Sequence, residues 1–477
     1  MDIKNFKYAH FIGIEGIGMS AAADIIMDSG ILVSGSDLNP GRMSLGLAKK
    51  GATIYKGHNK ENIQNSVDIV VISAAIKEEN PELQEARKQN KLVWKYSDLL
   101  GYLIAQKRGI SVAGTHGKST TSGMVSYMLH IAGLDPSFVV GAVLRQFDSN
   151  AHSGKGDFFV AEACEYDRSF LKLISEIAII TNIEADHLDY YNDLKEIFEA
   201  FYKFSSLLPN KGLLVVEKTV SSYFAAGLAC QVQSYSISEE ADWQALDIQR
   251  KNGKYSFRVV FRGEDKGWFQ TSLYGKHNVA NSLAAIAVGY HLGIPKEVLQ
   301  NAIAKYQGVK RRFEILAQDP VTIIDDYAHH PTEIKAALSA MRDYKQNQKV
   351  WAVFQPHQAS RTLHLLNDFA SAFSAADEVI VADIYYARDS MEIRQKINSA
   401  VLVEKLNQNG TKARHIGGGL QEIEDFLKKN LQPGDSVITM GAGNICQVSQ
   451  ALSCADIFSE NKLENLSVSN GVLATAF

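Results

Sequence analysis

The chain has 477 residues, which is too long for one compact domain and suits about two to four domains of ordinary size. Its hydrophobic content of 46% supports well-packed cores, and its formal net charge of -4 provides no positive field to attract nucleic acid or an anionic membrane. Four scattered cysteines, no signal-peptide pattern at the start and no apolar run near the ~20 residues of a membrane span predict a cytoplasmic protein without nucleic-acid or membrane partners.

Alternating predicted strands and helices indicate an α/β fold in three blocks. The first and third blocks are predicted to be Rossmann-like domains with doubly wound parallel sheets. The second is predicted to be a P-loop-type ATPase domain with a largely antiparallel insert at residues 211–275. The predicted domains are residues 1–108, 109–310 and 311–477. Residues 456–477 lack periodicity, and we expect them to be loosely ordered.

The first block opens with a predicted strand at residues 9–14 and a predicted helix at residues 16–28. The glycine-rich segment at residues 13–20 joins them, with the order G-x-x-G-x-G rather than the dinucleotide order G-x-G-x-x-G. Asp37 ends the second predicted strand, where an acid often contacts a ribose hydroxyl. The pattern predicts a site for a nucleotide's phosphates and sugar, and a tight turn without a ligand is the alternative.

The strongest single motif is Gly114-Thr-His-Gly-Lys-Ser-Thr-Thr121, which lies between a short apolar strand and an amphipathic helix. Glycines let backbone N–H groups turn toward phosphate oxygens, and the helix N-terminus adds partial positive charge. Lys118 is expected to reach the β- and γ-phosphates, and the Ser119 hydroxyl to bind Mg²⁺. The alternative is a strand-to-helix turn that happens to contain glycine.

Acidic and histidine side chains follow the neighbouring predicted strands. Glu162 ends the strand at residues 158–161, which is a suitable place for a Mg²⁺ ligand beside a phosphate loop. His187 follows another strand and could bind a second divalent ion, although a lone histidine there is more often a capping or surface group. Glu165 and Asp167 have weaker claims and could face solvent.

Further polar groups lie near the start of an apolar helix and in the third block. His277 and Asn278 precede that helix, and the segment at residues 325–331, which contains two adjacent histidines, follows a strand. Neighbouring side chains usually point apart, so we expect substrate contacts or structural hydrogen bonds there rather than a shared metal. Arg361 suits a carboxylate or phosphate, although a solvated arginine at a helix start is the usual explanation.

In series, seven segments resemble the Mur ligase family, from about residue 10 to residue 444. Each segment alone is a moderate signal, whereas their order is highly specific. The segments are residues 13–20, 34–37, 114–120, 162–166, 181–189, 325–331 and 441–444.

This resemblance implies ATP- and Mg²⁺-dependent ligation of L-alanine to UDP-N-acetylmuramic acid through an acyl-phosphate, in cytoplasmic peptidoglycan precursor synthesis. The three domains would bind the UDP-sugar, ATP and the amino acid, in that order. The implied UDP-sugar site comprises Gly13, Gly16, Gly18, Met19, Ser36, Asp37 and Ser73. The implied ATP site comprises Gly114, Thr115, His116, Gly117, Lys118, Ser119, Thr120, His277, Asn278, Arg312 and Asp326. The implied catalytic residues are Lys118, Glu162 and His187, the metal ligands Ser119, Glu162 and His187, and the amino-acid site Tyr327, His329 and Arg361.

Two residues depart from the family pattern. Glu15 stands where glycine is frequent and adds a negative charge near the expected UDP site, and Gln358 replaces a frequent arginine, which leaves Arg361 to hold the amino-acid carboxylate. The alternatives are the family member that reattaches a recovered tripeptide, a nicotinamide dehydrogenase and a catalytically silent regulatory homologue. Preference among alanine, glycine and serine, lysine carbamylation, and a monomeric or homodimeric state stay open.

Overall fold

The computed structural model describes residues 6–188, 190–387 and 389–455. The chain forms two compact units, residues 1–310 and 311–477, of which the first contains two β-sheets and the second contains one. The expectation of loose order at residues 456–477 concerns residues outside those described. No helix in the described ranges is long and apolar enough to cross a membrane.

The first sheet has five parallel strands in the order β3-β2-β1-β4-β5. Its strands are β1 Tyr8–Ile12, β2 Leu32–Asp37, β3 Thr53–Lys56, β4 Ile69–Ile72 and β5 Leu92–Lys95, and its helices are α1 Ile17–Asp28, α2 Arg42–Lys49, α3 Pro81–Lys88 and α4 Tyr96–Ala105. The central strands β1 and β4 are almost wholly buried, as expected of a sheet covered on both faces. The predicted Rossmann-like arrangement is confirmed.

The second sheet has ten strands in the order β15-β14-β13-β12-β11-β10-β6-β9-β7-β8. Its strands are β6 Arg108–Ala113, β7 Ser137–Leu144, β8 Ser149–His152, β9 Phe158–Glu162, β10 Ile177–Ile180, β11 Leu213–Glu217, β12 Gln231–Ser236, β13 Trp243–Lys251, β14 Lys254–Phe261 and β15 Glu264–Thr271. Its helices are α5 Lys118–Ile131, α6 Leu194–Ser205, α7 Lys218–Ser221, α8 His277–His291 and α9 Lys296–Lys305.

The predicted antiparallel insert is smaller than residues 211–275. β11 and β12 continue the parallel sheet, and antiparallel pairing begins only between β13 and β14. β11 belongs to the parallel sheet because its run Leu-Leu-Val-Val is buried on both faces, as expected of a central parallel strand. The tight turn at Asn252 and Gly253, both with positive φ, then reverses the chain.

The third sheet has six strands in the order β16-β17-β21-β18-β19-β20, all parallel except the edge strand β16. Its strands are β16 Glu314–Ala317, β17 Thr322–Asp326, β18 Val350–Phe354, β19 Glu378–Val381, β20 Ala413–His415 and β21 Ser436–Met440. Its helices are α10 Pro331–Tyr344, α11 Ala359–His364, α12 Leu366–Ala370, α13 Met391–Arg394, α14 Ser399–Gln408, α15 Leu420–Asn430 and α16 Cys446–Cys454.

Candidate nucleotide-binding site

The predicted phosphate loop joins β6 to α5 at the carboxyl edge of the central sheet. Two strands flank β6 there: Glu162 of β9 lies beside Val112, and Thr181 directly follows Ile180 of β10, which pairs with Ala113. Because parallel strands end at a common edge, residues far apart in sequence meet around the loop. The topology therefore brings the loop, Glu162 and the segment leading to His187 together.

The loop conformation is fixed by its glycines and by Asn182. Gly114 and Gly117 have φ of 135° and 81°, and a Cβ on Gly117 would lie 2.8 Å from Asn281 Oδ1. The His116 N–H donates to Asn182 Oδ1 (2.8 Å), while Asn182 Nδ2 donates to the His116 carbonyl (3.1 Å). These hydrogen bonds hold the loop in shape.

Lys118 begins α5 and points back over the loop. Its Nζ donates to the carbonyls of Gly114 and Thr115 and to both oxygens of Glu165, at 3.1 and 3.0 Å. Burial alone lowers the pKa of Lys118, but the carboxylates of Glu165 and Glu162 outweigh it and raise the pKa, so the ammonium stays charged.

Glu165 does not face solvent, contrary to the expectation from sequence. Glu165 is only 3% exposed, and its carboxylate forms an ion pair with Lys118. The sequence analysis gave Glu165 a weaker claim than Glu162 because the two acids are three residues apart, and only the three-dimensional structure separates their environments. Asp167, by contrast, forms an ion pair with the exposed side chain of Lys95 at 2.8 Å.

His187 lies in a left-handed backbone position with φ of 55°, and its ring is mostly buried. Its Nε2 lies 3.8 Å from Glu165 Oε1 and 3.9 Å from Asp186 Oδ2, and the Tyr166 ring packs against it at 5.1 Å. Its Nδ1 is buried and has no hydrogen-bond partner in the part of the chain that is described. A buried nitrogen without a donor or acceptor partner fits a cation ligand.

The other two predicted metal ligands supply oxygen atoms. Ser119 and Thr120 are buried at the start of α5, and the Gly141 N–H donates to Glu162 Oε2 at 2.7 Å. Carboxylate and hydroxyl oxygens are the donors that Mg²⁺ prefers. Together with His187, the donor set fits a divalent cation.

The start of α8 lies against the phosphate loop. Asn278 Nδ2 donates to the Tyr274 carbonyl (2.6 Å) and contacts His277 Nε2 (3.1 Å), and Asn281 Nδ2 donates to Asn278 Oδ1 (2.9 Å). Asn281 is the residue that a Cβ on Gly117 would strike. The sequence analysis did not single out Asn281, although its spacing of three from Asn278 places both on one helix face.

The glycine turn of the first sheet adopts a backbone conformation that favours glycine. Gly13 has φ of 85°, its N–H donates to the Ser36 carbonyl (2.8 Å), and a Cβ there would lie 3.2 Å from Ser73 Cβ. A Cβ on Gly18 would lie 2.7 Å from the Tyr96 ring. Asp37 Oδ2 accepts the Glu15 N–H at 3.2 Å, so Asp37 lies beside the turn.

Other predicted UDP-sugar residues make contacts within the first domain. Met19 packs in the hydrophobic core, and the Ser36 hydroxyl lies in a buried network with Glu82 and His58. Gly16 N–H donates to the Gly13 carbonyl within the turn. The Met19 and Ser36 side chains are therefore held by contacts within the first domain, and Gly16 shapes the turn.

Glu15 has a structural partner. Its carboxylate accepts the N–H groups of Gly41, Met43 and Ser44 and the Ser44 hydroxyl, at 2.8, 3.2, 3.0 and 2.6 Å. Burial raises the pKa of Glu15, but the Ser44 hydroxyl and these amides outweigh it and lower the pKa. The carboxylate of Glu15 therefore caps the N-terminus of α2.

In the second unit, Asp326 ends β17 and holds the surrounding backbone. It accepts the N–H groups of Phe313 (2.8 Å) and Ala328 (2.7 Å). Burial raises its pKa to about 6, against the opposing effect of Arg312. Arg312 donates to Glu333 at 3.2 Å and stacks on the Tyr327 ring at 5.2 Å.

The three residues predicted to bind the amino acid are connected through a series of neighbouring side chains that includes His357. The Tyr327 and His329 rings are 5.4 Å apart, His329 and His357 are 6.1 Å apart, and Arg361 NH1 lies 3.2 Å from His357 Nδ1. Arg361 is buried rather than a solvated surface arginine. Gln358 is buried too, with φ of 70°.

Comparison with known families gives three matches along the chain. The profile of the Mur ligase family catalytic domain matches residues 8–108, that of the Mur ligase middle domain matches residues 112–289, and that of the Mur ligase glutamate ligase domain matches residues 311–443. Together these profiles match most of the sequence.

Individual relatives match over almost their whole length. The UDP-N-acetylmuramate–L-alanine ligase of Clostridium acetobutylicum is 42% identical, covering 94% of this chain and 98% of the relative, and that of Caldanaerobacter subterraneus subsp. tengcongensis is 40% identical with the same coverage. The crystal structure of UDP-N-acetylmuramate-alanine ligase from Thermotoga maritima, 27% identical, superimposes with a TM-score of 0.80 and covers 96% of this chain and 99% of that one.

Proposed function

This chain belongs to the Mur ligase family, and on that premise we propose that it joins L-alanine to UDP-N-acetylmuramic acid, converting ATP to ADP and phosphate. The names and coverage of the relatives support this activity. The observation that carries the proposal is the phosphate loop itself, with a charged, buried Lys118 held at the N-terminus of α5 beside Glu162 and His187.

The proposed chemistry begins with phosphoryl transfer. A lactyl carboxylate oxygen of the sugar nucleotide attacks the γ-phosphorus of ATP, ADP leaves, and an acyl-phosphate forms. The Lys118 ammonium and the N–H groups at the start of α5 would stabilise negative charge on the transferred group. The amino group of alanine then attacks the acyl carbon, and phosphate leaves with the former carboxylate oxygen.

Ser119, Glu162 and His187 are the residues that would hold Mg²⁺. When bound, Mg²⁺ would screen the triphosphate charge that otherwise repels the carboxylate. His277, Asn278, Arg312 and Asp326 are proposed to contact the nucleotide.

The other substrates are assigned to the first and third domains, for which we propose the boundaries 1–108 and 311–477, with 109–310 between them. The turn at residues 13–18 and Asp37 would bind the UDP-sugar. Arg361 would pair with the alanine carboxylate, with Tyr327 and His329 beside it. The four cysteines are free, which supports a reducing cytoplasm as the place of the reaction.

Mass spectrometry of the reaction products tests the proposed function. The protein is incubated with UDP-N-acetylmuramic acid, ATP, Mg²⁺ and an equimolar mixture of amino acids and the recovered tripeptide. We expect UDP-N-acetylmuramoyl-alanine and ADP. A tripeptide adduct would identify the recycling ligase instead, and the absence of any adduct with intact ATP would refute ligase activity.

A further inference from the structure

Glu165 occupies a central position that the proposed chemistry does not use. One carboxylate contacts two functional groups: both oxygens lie within 3.1 Å of Lys118 Nζ, and Oε1 lies 3.8 Å from His187 Nε2. Its carbonyl accepts the buried Tyr191 hydroxyl at 2.6 Å, which fixes the backbone from which the side chain extends.

The hydrogen bonds of Lys118 are fully used by protein acceptors. An ammonium has three donors, and here they are directed to the Gly114 carbonyl, the Thr115 carbonyl and the Glu165 carboxylate. A phosphate oxygen can bind this ammonium only if one of those acceptors is given up. Glu165 is the only charged acceptor among the three, so it competes most strongly with a phosphate oxygen for the ammonium.

The same carboxylate lies where a triphosphate would bring several negative charges. Two buried anions near one lysine compete for it, because each loses hydration and requires a positive partner. Glu165 Oε1 also lies 3.8 Å from His187 Nε2, which is beyond hydrogen-bond distance, so its negative charge lies near the ring without a direct bond to it.

We propose that Glu165 is a positioning residue of the nucleotide site, which orients Lys118 and competes with the ATP phosphates for the Lys118 ammonium. This inference rests on the proposed function only in taking the loop as the ATP site. The consequence is a division of effects: Glu165 weakens ATP binding in the ground state while it favours turnover.

A variant that removes the negative charge of Glu165 but keeps the shape of its side chain tests whether ATP binding and turnover change in opposite directions. For Glu165→Gln, we expect the Kd for ATP, measured by calorimetry in EDTA without metal or other substrates, to fall by about tenfold because the competing charge is gone. In the complete reaction, kcat should fall by about tenfold or more because Lys118 loses its orientation. A merely structural role predicts weaker ATP binding together with lower kcat, and an unchanged or raised Kd would overturn the proposal.

Two further variants provide the controls. Glu165→Asp keeps the charge, so its Kd for ATP should stay within about twofold of the unaltered protein, with part of the lost kcat restored relative to Glu165→Gln. A fall in its Kd equal to that of Glu165→Gln would also contradict the proposal. Glu176→Gln removes a carboxylate that pairs with Arg108 at the opposite end of β6, and it should change neither quantity.

The outcomes separate this inference from the proposed function. If the unaltered protein binds ATP and Glu165→Gln binds it more tightly, the competition stands even where no alanine adduct forms. If alanine is ligated but Glu165→Gln leaves Kd and kcat unchanged, the proposed role of Glu165 is contradicted while the proposed function stands. Thermal unfolding of each variant confirms that the compared proteins are folded.

Discussion

Lys118 places a buried positive charge at the N-terminus of a helix, where backbone N–H groups already carry partial positive charge. Two positive features in one place are stable only with strong acceptors, which here are two loop carbonyls and Glu165. This concentration of positive charge is suited to a polyanionic ligand. At the scale of single residues, the proposed nucleotide site therefore has the charge that phosphate binding requires.

Lys118→Ala tests that arrangement at one residue. We expect product formation to fall by at least about a thousandfold, because the transition-state charge of the phosphoryl group loses its cation. Binding of UDP-N-acetylmuramic acid, measured by calorimetry, should be unchanged. Lys50→Ala, which removes an exposed lysine paired with Asp24, is the control and should retain full activity. Turnover of Lys118→Ala near the unaltered rate would disprove the role of Lys118.

At the scale of secondary-structure elements, the N-terminus of α2 depends on a side chain from another part of the first domain. Glu15 accepts three backbone N–H groups at that end, which the helix itself leaves without partners. The glycine turn of the first sheet and helix α2 are thereby joined through a single carboxylate. Glu15 thus has a structural role at the start of α2, while its carboxylate remains negatively charged.

Glu15→Gln should lower the free energy of unfolding by about 1 kcal/mol at neutral pH, because the cap loses its charge. The pKa of Glu15 is lowered in the folded protein, so its stabilising contribution is present above its unfolded pKa of about 4.5 and is lost as the pH falls through the lower folded value. Denaturant unfolding at several pH values should show the difference between the two proteins disappearing in acid. A difference that persists there would contradict the capping account, and Glu61→Gln on the surface is the control.

The elements also show why some features could be predicted and others could not. The phosphate loop was predictable because its strand, glycines and Lys-Ser pair are contiguous in sequence, and β6 and α5 confirm that context. The proposed role of Glu165 could not be predicted in this way, because it depends on an ion pair with Lys118, which is 47 positions away in sequence. β11 was assigned to the antiparallel insert because its β-branched residues indicate a strand without indicating its neighbour.

At the scale of the whole molecule, we propose that each substrate binds chiefly at the carboxyl ends of the strands of one sheet, with Arg312 and Asp326 of the third domain also contacting ATP. Hydrogen exchange measured along the chain can therefore test the assignments together. UDP-N-acetylmuramic acid alone should slow exchange at residues 13–20, and ATP with Mg²⁺ should slow it at residues 114–121 and at the start of α8. Residues 243–271, the antiparallel strands, serve as an internal control. Protection of 114–121 by the sugar nucleotide alone would contradict the assignments.

The most direct test of the central claim, phosphoryl transfer to the sugar carboxylate at the Lys118 loop, is an oxygen-tracing experiment. UDP-N-acetylmuramic acid labelled with ¹⁸O in both lactyl carboxylate oxygens is converted with unlabelled ATP and L-alanine, and the products are analysed by mass spectrometry. The acyl-phosphate route predicts one labelled oxygen in inorganic phosphate, one in the new amide and unlabelled ADP. Labelled AMP, or phosphate without label, would contradict it.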